Sequence, residues 1–234
     1  MKLLSSLLRI SSIMKSLENK VVHTSEESAV YHAAKLLKSG QVIGIPTDTI
    51  YGLACSANDP EAIKRLYEIK GRNEEKPVAI CVSDFKDLRH WGRADHLPDE
   101  LIQQLLPGPV TIVLNKSIHL NNPYLNHGIE KIGIRIPDFD FIRDVCRIFS
   151  QPMALTSANK SSEKSTLNID EFKHLWVSLG AVFDGGNLSD SEEHRKGSTV
   201  IDLSQPGEYQ IIRQGIAFER TTSLVHNFGF KSLS

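Results

Sequence analysis

The spacing of hydrophobic residues along this chain changes several times, and each change marks a boundary between element types. Ala29, Val30, Ala33, Leu36 and Leu37 recur at helical spacing up to Gly40, and Thr24 with Glu27 three residues later has the form of a capping box at the start of that helix. The β-branched run 42–45 stops at Pro46. It predicts a short strand with Pro46-Thr47-Asp48-Thr49 at its carboxyl end, where α/β sheets bind ligands. Asp59 as N-cap, Pro60 in the first turn, the stripe Ala62, Ile63, Leu66 and Ile69, and Gly71 as stop predict a second helix ending at Lys70, Gly71 and Arg72.

An apolar strand follows at 77–82, then helical segments near 84–91 and 98–106, and a strand at 110–114 after Pro107-Gly108-Pro109. Further on, the pattern predicts a strand at 132–136, a helix at 139–149, and a strand at 153–156 that runs into Ser157-Ala158-Asn159. A helix near 169–179 and strands near 181–183, 199–203 and 209–213 complete the series. Some strands are separated by helices and others by turns alone, which predicts one α/β domain with a mixed sheet over residues 21–222, and a tail at 223–234. The stretch 187–197 is rich in Ser, Asp, Glu, His, Arg and Lys, and reads as an exposed mobile loop able to cover a site.

Composition narrows the function classes. At 40% hydrophobic and 24% charged the chain is ordinary for a soluble globular protein, and 27 Lys and Arg against 28 Asp and Glu leave a net charge of −1. Such a balance gives no whole-chain field for nucleic acid or membrane, so any anion site must be local. The three cysteines Cys55, Cys81 and Cys146 have no CxxC spacing and read as reduced thiols, with Cys81 a buried inert one. The nine histidines lack ligand spacing, so no protein metal site is expected. Residues 1–20 differ from the rest: Lys2, Arg9 and Lys15 precede the first acid, Glu18, while Leu3, Leu7, Ile10, Met14 and Leu17 share one helical face. This segment reads either as a mitochondrial targeting sequence or as a frayed tail. With Met14 as a second start, the expected locations are mitochondrial and cytoplasmic. Its apolar runs are too short to cross a bilayer.

Neither a P-loop nor a Rossmann glycine pattern is present, so a nucleotide would need another phosphate grip. Lys70 and Arg72, with Arg213 after the last main strand, can neutralise a polyphosphate, or Lys70 and Arg72 can simply offset a helix dipole. Arg135 lies among isoleucines in Ile132-Gly133-Ile134-Arg135-Ile136; it either faces inward and needs an anionic partner or faces solvent. Ser157 and Asn159 serve either a phosphate or ribose or an Asx-type turn, and Ser198 is equally open. Thr47 and Thr49 can bind substrate hydroxyl or amine groups, with Tyr51 packing over them. With no nucleophile and base paired in sequence, the residues describe a positioning and electrostatic site suited to phosphoryl or nucleotidyl transfer.

In their order and spacing PTDTIYGL, Lys70-Gly71-Arg72, PGPVT at 107–111, IGIRIP at 132–137, TSAN at 156–159, STVID at 198–202 and IIRQG at 211–215 resemble the YrdC family, over residues 24–215. The resemblance implies a twisted open mixed sheet with surrounding helices and a concave ligand-binding face. It implies L-threonylcarbamoyladenylate synthesis from L-threonine, bicarbonate and ATP with Mg2+, for modification of adenosine 37 in tRNAs reading codons that begin with A. The product would pass to a separate tRNA threonylcarbamoyl-transferase complex. Carried over by motif, Thr49, Arg135 and Ser198 would contact threonine. Arg72, Lys76, Lys131, Ser157, Asn159 and Arg213 would hold ATP, and Lys70 and Arg72 would act in catalysis. Cys81 stands where many relatives have a histidine near threonine, and Ser161-Ser162 replaces a usual Ser-Gly. Two other classes remain open: a double-stranded RNA or tRNA binding module, which implies at least weak RNA contact, and a carbamoyl-transfer subdomain of a larger enzyme.

Overall fold

A computed structural model describes residues 17–71 and 77–233. Along the chain run β1 (Val21–His23), α1 (Ala29–Lys38), β2 (Ile43–Ile45), β3 (Gly52–Ser56), α2 (Pro60–Lys70), β4 (Ala79–Cys81), α3 (Phe85–Trp91), α4 (Asp99–Leu105), β5 (Val110–Asn115), β6 (Lys131–Arg135), α5 (Asp140–Phe149) and β7 (Met153–Ser157). A 3₁₀ segment (Ile169–Ser178), β8 (Val182–Asp184), a 3₁₀ turn (Glu192–Lys196), β9 (Thr199–Asp202), β10 (Glu208–Arg213), α6 (Phe218–Asn227) and β11 (Lys231–Ser232) follow. The strands form one sheet in the order β1-β8-β2-β3-β7-β4-β6-β5-β9-β10-β11. Parallel pairs such as β4 with β6 and β5 with β9 alternate with antiparallel pairs such as β3 with β7 and β5 with β6, so the expected mixed α/β sheet is present.

The two sides of the sheet are covered differently. One side packs Leu53, Ile80, Ile112, Ile134, Ala154 and Ile201 against apolar residues of α2, α3, α4, α6 and the 3₁₀ segment, among them Leu66, Leu88, Leu101, Val225 and Trp176. The other side carries α1 and α5, whose Ala33, Leu37, Ile142 and Val145 bury Ile43, Ile45, Ala54, Cys81 and Met153. These two helices do not extend over the remaining strands. There the residues facing outward from β6, β5, β9 and β10, with Ala79 at the start of β4, line a cavity.

Several local expectations are corrected. The first helix starts at Ala29, its N-cap Ser28 makes no side-chain cap bond, and Glu26 rather than Glu27 reaches back, accepting from the His23 N–H at 2.9 Å. Residues 24–28 form turns because Thr24 N–H extends the β1–β8 pairing to Asp184 O. β1, β3 and α6 were not expected. The segment 223–234 is no free tail: it completes α6, buries Val225 and Phe230, and adds β11 beside β10. The helix near 169–179 is a 3₁₀ segment kinked at Phe172. The 187–197 stretch holds the 3₁₀ turn and is anchored rather than loose, since Arg195 donates to Ser165 O at 2.6 Å and to both oxygens of Glu171 at 2.8 and 3.0 Å. That Arg195 bond, more than any other contact, holds the Glu171 carboxyl below the usual carboxylate range. Most of the segment read as a targeting sequence or frayed tail, residues 1–16, lies outside the described residues. Among the described residues no helix is long and apolar enough to cross a membrane.

Candidate active site

Strand alternation builds the site. In β6, Ile132 and Ile134 point into the core while Lys131, Gly133 and Arg135 line the opposite side, as a period of two requires. The same rule places Thr111 and Val113 of β5, and Ser198, Val200 and Asp202 along β9, around one cavity of about 750 Å³. Thr47, Tyr51, Thr156, Ser157 and Arg213 add to its polar lining. A volume of this size suits a small-molecule ligand (a few hundred to about 1,000 Å³).

Arg135 faces inward. Its Nη2 donates to Asp48 Oδ1 at 2.6 Å and to Thr49 Oγ1 at 2.7 Å, with both charged side chains more than nine-tenths buried. Arg135 Nε and Asp48 Oδ2 are buried with no hydrogen-bond partner among the described residues. The ion pair is therefore satisfied on one edge only, leaving a donor and an acceptor whose burial favours a ligand that supplies the complements. Thr49 itself stands behind Arg135 and outside the cavity lining. Because Thr47 donates its hydroxyl to Ile50 O at 2.7 Å, the 3.1 Å contact between the two hydroxyls takes its hydrogen from Thr49. That hydrogen is thus committed to the loop, and Thr49 orients Arg135 instead of donating to a ligand. Tyr51, expected to pack over the threonines, sends its hydroxyl to Gly186 O at 2.7 Å and accepts from Gly185 N–H, tying the loop to the end of β8. Burial pushes that phenol well above its ordinary range.

On the far wall Arg213 donates through Nε and Nη2 to Ser198 O at 3.1 and 2.9 Å, and through Nη2 to Ser198 Oγ at 3.0 Å. Burial, and next the charge of Arg135, lowers its proton affinity. An arginine remains protonated regardless, so two mutually repelling cations are held in one enclosure, a situation that an anion relieves. Lys131 reaches Asp202 Oδ2 at 2.8 Å. Burial alone would raise the Asp202 carboxyl, but Lys131 and Ser204 outweigh it and hold it below the usual range.

Lys70 and Asn159 are brought together, though away from the cavity wall. The α2 cap is as expected: Asp59 accepts from the N–H groups of Glu61 and Ala62, and Gly71 closes the helix at φ 58°. This delivers Lys70, fully buried, under the end of β7, where Nζ donates to Ser157 O at 2.6 Å, to Asn159 Oδ1 at 3.1 Å and to Asn159 O. The Asn159 amide nitrogen donates to Glu163 O at 2.6 Å. Both side chains brace Ser157, which does line the cavity, from behind, and neither is part of the lining itself. Arg72 and Lys76 lie outside the described residues. Cys81 is buried 3.6 Å from Cys146 Sγ, among the residues packed under α1 and α5, and is not part of the cavity lining. Sequence reasoning missed Asp48, Thr111 and Asp202 as site residues. The alternation of their strands was the available signal for the last two.

Among the described residues no group of three His, Cys, Asp or Glu side chains is placed to hold a metal ion. A family model described as Sua5/YciO/YrdC, telomere recombination, matches residues 35–215. The chain is 46% identical over 203 residues to threonylcarbamoyl-AMP synthase of Bos taurus, covering 86% of this chain and 73% of that one. It is 47% identical over 199 residues to the Homo sapiens protein of the same name, covering 84% and 71%. The crystal structure of P. abyssi Sua5 complexed with L-threonine superposes with a TM-score of 0.76 at 28% identity, over 89% of this chain and 60% of that one. With a family model spanning most of its sheet and relatives of this similarity along most of its length, the chain belongs to the Sua5/YciO/YrdC family.

Proposed function

We propose that the chain is an L-threonylcarbamoyladenylate synthase, joining L-threonine, bicarbonate or carbon dioxide, and ATP into threonylcarbamoyl-AMP with release of pyrophosphate. The observation that carries this reading is the half-satisfied Arg135–Asp48 pair facing the Arg213–Ser198 wall across one cavity. Relatives named for this synthesis support it over an RNA-binding module. The threonine amine takes up bicarbonate to give a carbamate and water, and a carbamate oxygen then displaces pyrophosphate in line at the α-phosphorus. Arg135, braced by Asp48 and Thr49, offers its unpaired edge to the threonine carboxylate, and Ser198 borders that half. Arg213, Lys131 and Ser157 face the nucleotide half, with Lys70 and Asn159 fixing Ser157 from behind. The protein's part is orientation and neutralisation of developing charge. Magnesium enters on the triphosphate as part of the substrate, since Mg2+ is usually bound by substrate phosphates and water with few protein carboxylates.

The product serves adenosine 37 of tRNAs reading codons that begin with A, through a separate transferase complex. Residues 1–20 support a mitochondrial pool beside a cytosolic one, and a C-terminal tag found only in the cytosol would remove that part. The test of the activity is pyrophosphate release from ATP by purified protein. It should require both L-threonine and bicarbonate; release independent of either refutes the reading.

A further inference from the structure

Thr111 has no part in the roles assigned above, yet it is buried in the cavity wall and bonded to one of the residues that has. Its Oγ1 lies 2.8 Å from Ser198 Oγ. Three features fix that contact. β5 and β9 pair in parallel with Thr111 opposite Val200, and Thr199 N–H donates to Pro109 O at 2.9 Å, so neither backbone can slide. On the β6 side, a Cβ built on Gly133 would come within 2.9 Å of Thr111 Cγ2, which shows the threonine methyl lying against that glycine. A β-branched side chain has few χ1 choices, and with its methyl turned to β6 its hydroxyl is turned to β9. Finally, Arg213 Nη2 donates to the same Ser198 Oγ at 3.0 Å.

The hydrogen count then has a consequence. Two hydroxyls bonded to one another use one of their two hydrogens, and Arg213 supplies its own. Whichever hydroxyl donates, one hydrogen remains for a ligand in the cavity. We propose that Thr111 is a positioning residue for the amino-acid half of the site, setting the Ser198 hydroxyl for substrate. The inference rests on the synthase reading.

The test compares Thr111→Val, which keeps the shape and removes the hydroxyl, with Thr111→Ser, which keeps the hydroxyl. Loss of one such bond corresponds to roughly a 3- to 10-fold effect. Thr111→Val should raise KM for L-threonine by about that factor, with KM for ATP changed less than about 2-fold, and Thr111→Ser should restore the wild-type value within about 2-fold. The inference is overturned if KM for threonine is unmoved in Thr111→Val, if both KM values rise together, or if Thr111→Ser is as impaired as Thr111→Val. Wild-type protein releasing no threonine-dependent pyrophosphate refutes the synthase reading, and the inference with it. An active wild type with an indifferent Thr111→Val refutes the inference alone.

Discussion

Lys70→Met separates two uses of one cation. The substitution keeps most of the volume of a side chain that is 1% exposed and deletes the ammonium beneath β7. Ser157 O, Ser157 Oγ, Asn159 O and Asn159 Oδ1 then lose a common donor. A buried acceptor left unpaired costs about 1–3 kcal/mol. Against these losses stands relief from burying an ammonium, so the net destabilisation is expected near 3 kcal/mol. For a domain of this size each kcal/mol shifts Tm by about 2–4 °C, which gives a fall of about 6–12 °C. Scanning calorimetry measures that fall, and pyrophosphate release at 20–25 °C, where the variant is still folded, measures the rest. Because Ser157 is loosened and not removed, activity should persist with a raised KM for ATP. A variant that melts within about 2 °C of wild type yet has lost all turnover would show Lys70 acting directly on the phosphates, and the strut argument would be wrong.

Arg135→Lys cannot keep Asp48, Thr49 and a carboxylate together, so KM for L-threonine should rise at least about 10-fold while KM for ATP changes less than about 3-fold; steady-state kinetics in each substrate checks the split. Gly215→Ala would put a Cβ 2.2 Å from the Ser198 carbonyl carbon and 2.3 Å from Thr199 N, both backbone atoms that cannot turn away. It should cost about 3 kcal/mol or more in urea unfolding and displace Arg213 with Ser198. Asp202 titrates below its ordinary value in the fold, so its contribution is fully present above about pH 4 and lost as pH falls through the lower folded value. Melting curves from pH 5 to 2.5 should therefore fall less steeply for Asp202→Asn than for wild type.

How legible these features were in the sequence depended on how local their causes are. The α2 helix was readable end to end, since Asp59, Pro60 and Gly71 each act on their nearest neighbours. β3 was not readable: Gly-Leu-Ala-Cys-Ser lacks β-branched residues and is a strand because β2 and β7 flank it on both edges. α6 starts without a side-chain cap and is held by Val225 in the core, a contact that only the assembled sheet provides. For Arg135 the spacing left two orientations open. The choice came from which side of β6 the core occupies, and then from Asp48, 87 residues away along the chain. Lys70 shows the opposite case. Its motif placed it correctly beside Ser157 and Asn159, but whether a lysine ends in a cavity or under a strand is decided by depth.

One property of β6 reaches beyond its ligands. Its odd-numbered residues line the cavity and its even-numbered residues fill the apolar interior, on a single five-residue strip. Inserting or deleting one residue upstream in that strip would carry the isoleucines into the solvent-facing enclosure and drive a lysine and an arginine into the oil. Sequence drift here can exchange residue types but cannot change length, because no frame exists in which the strip keeps one duty and abandons the other.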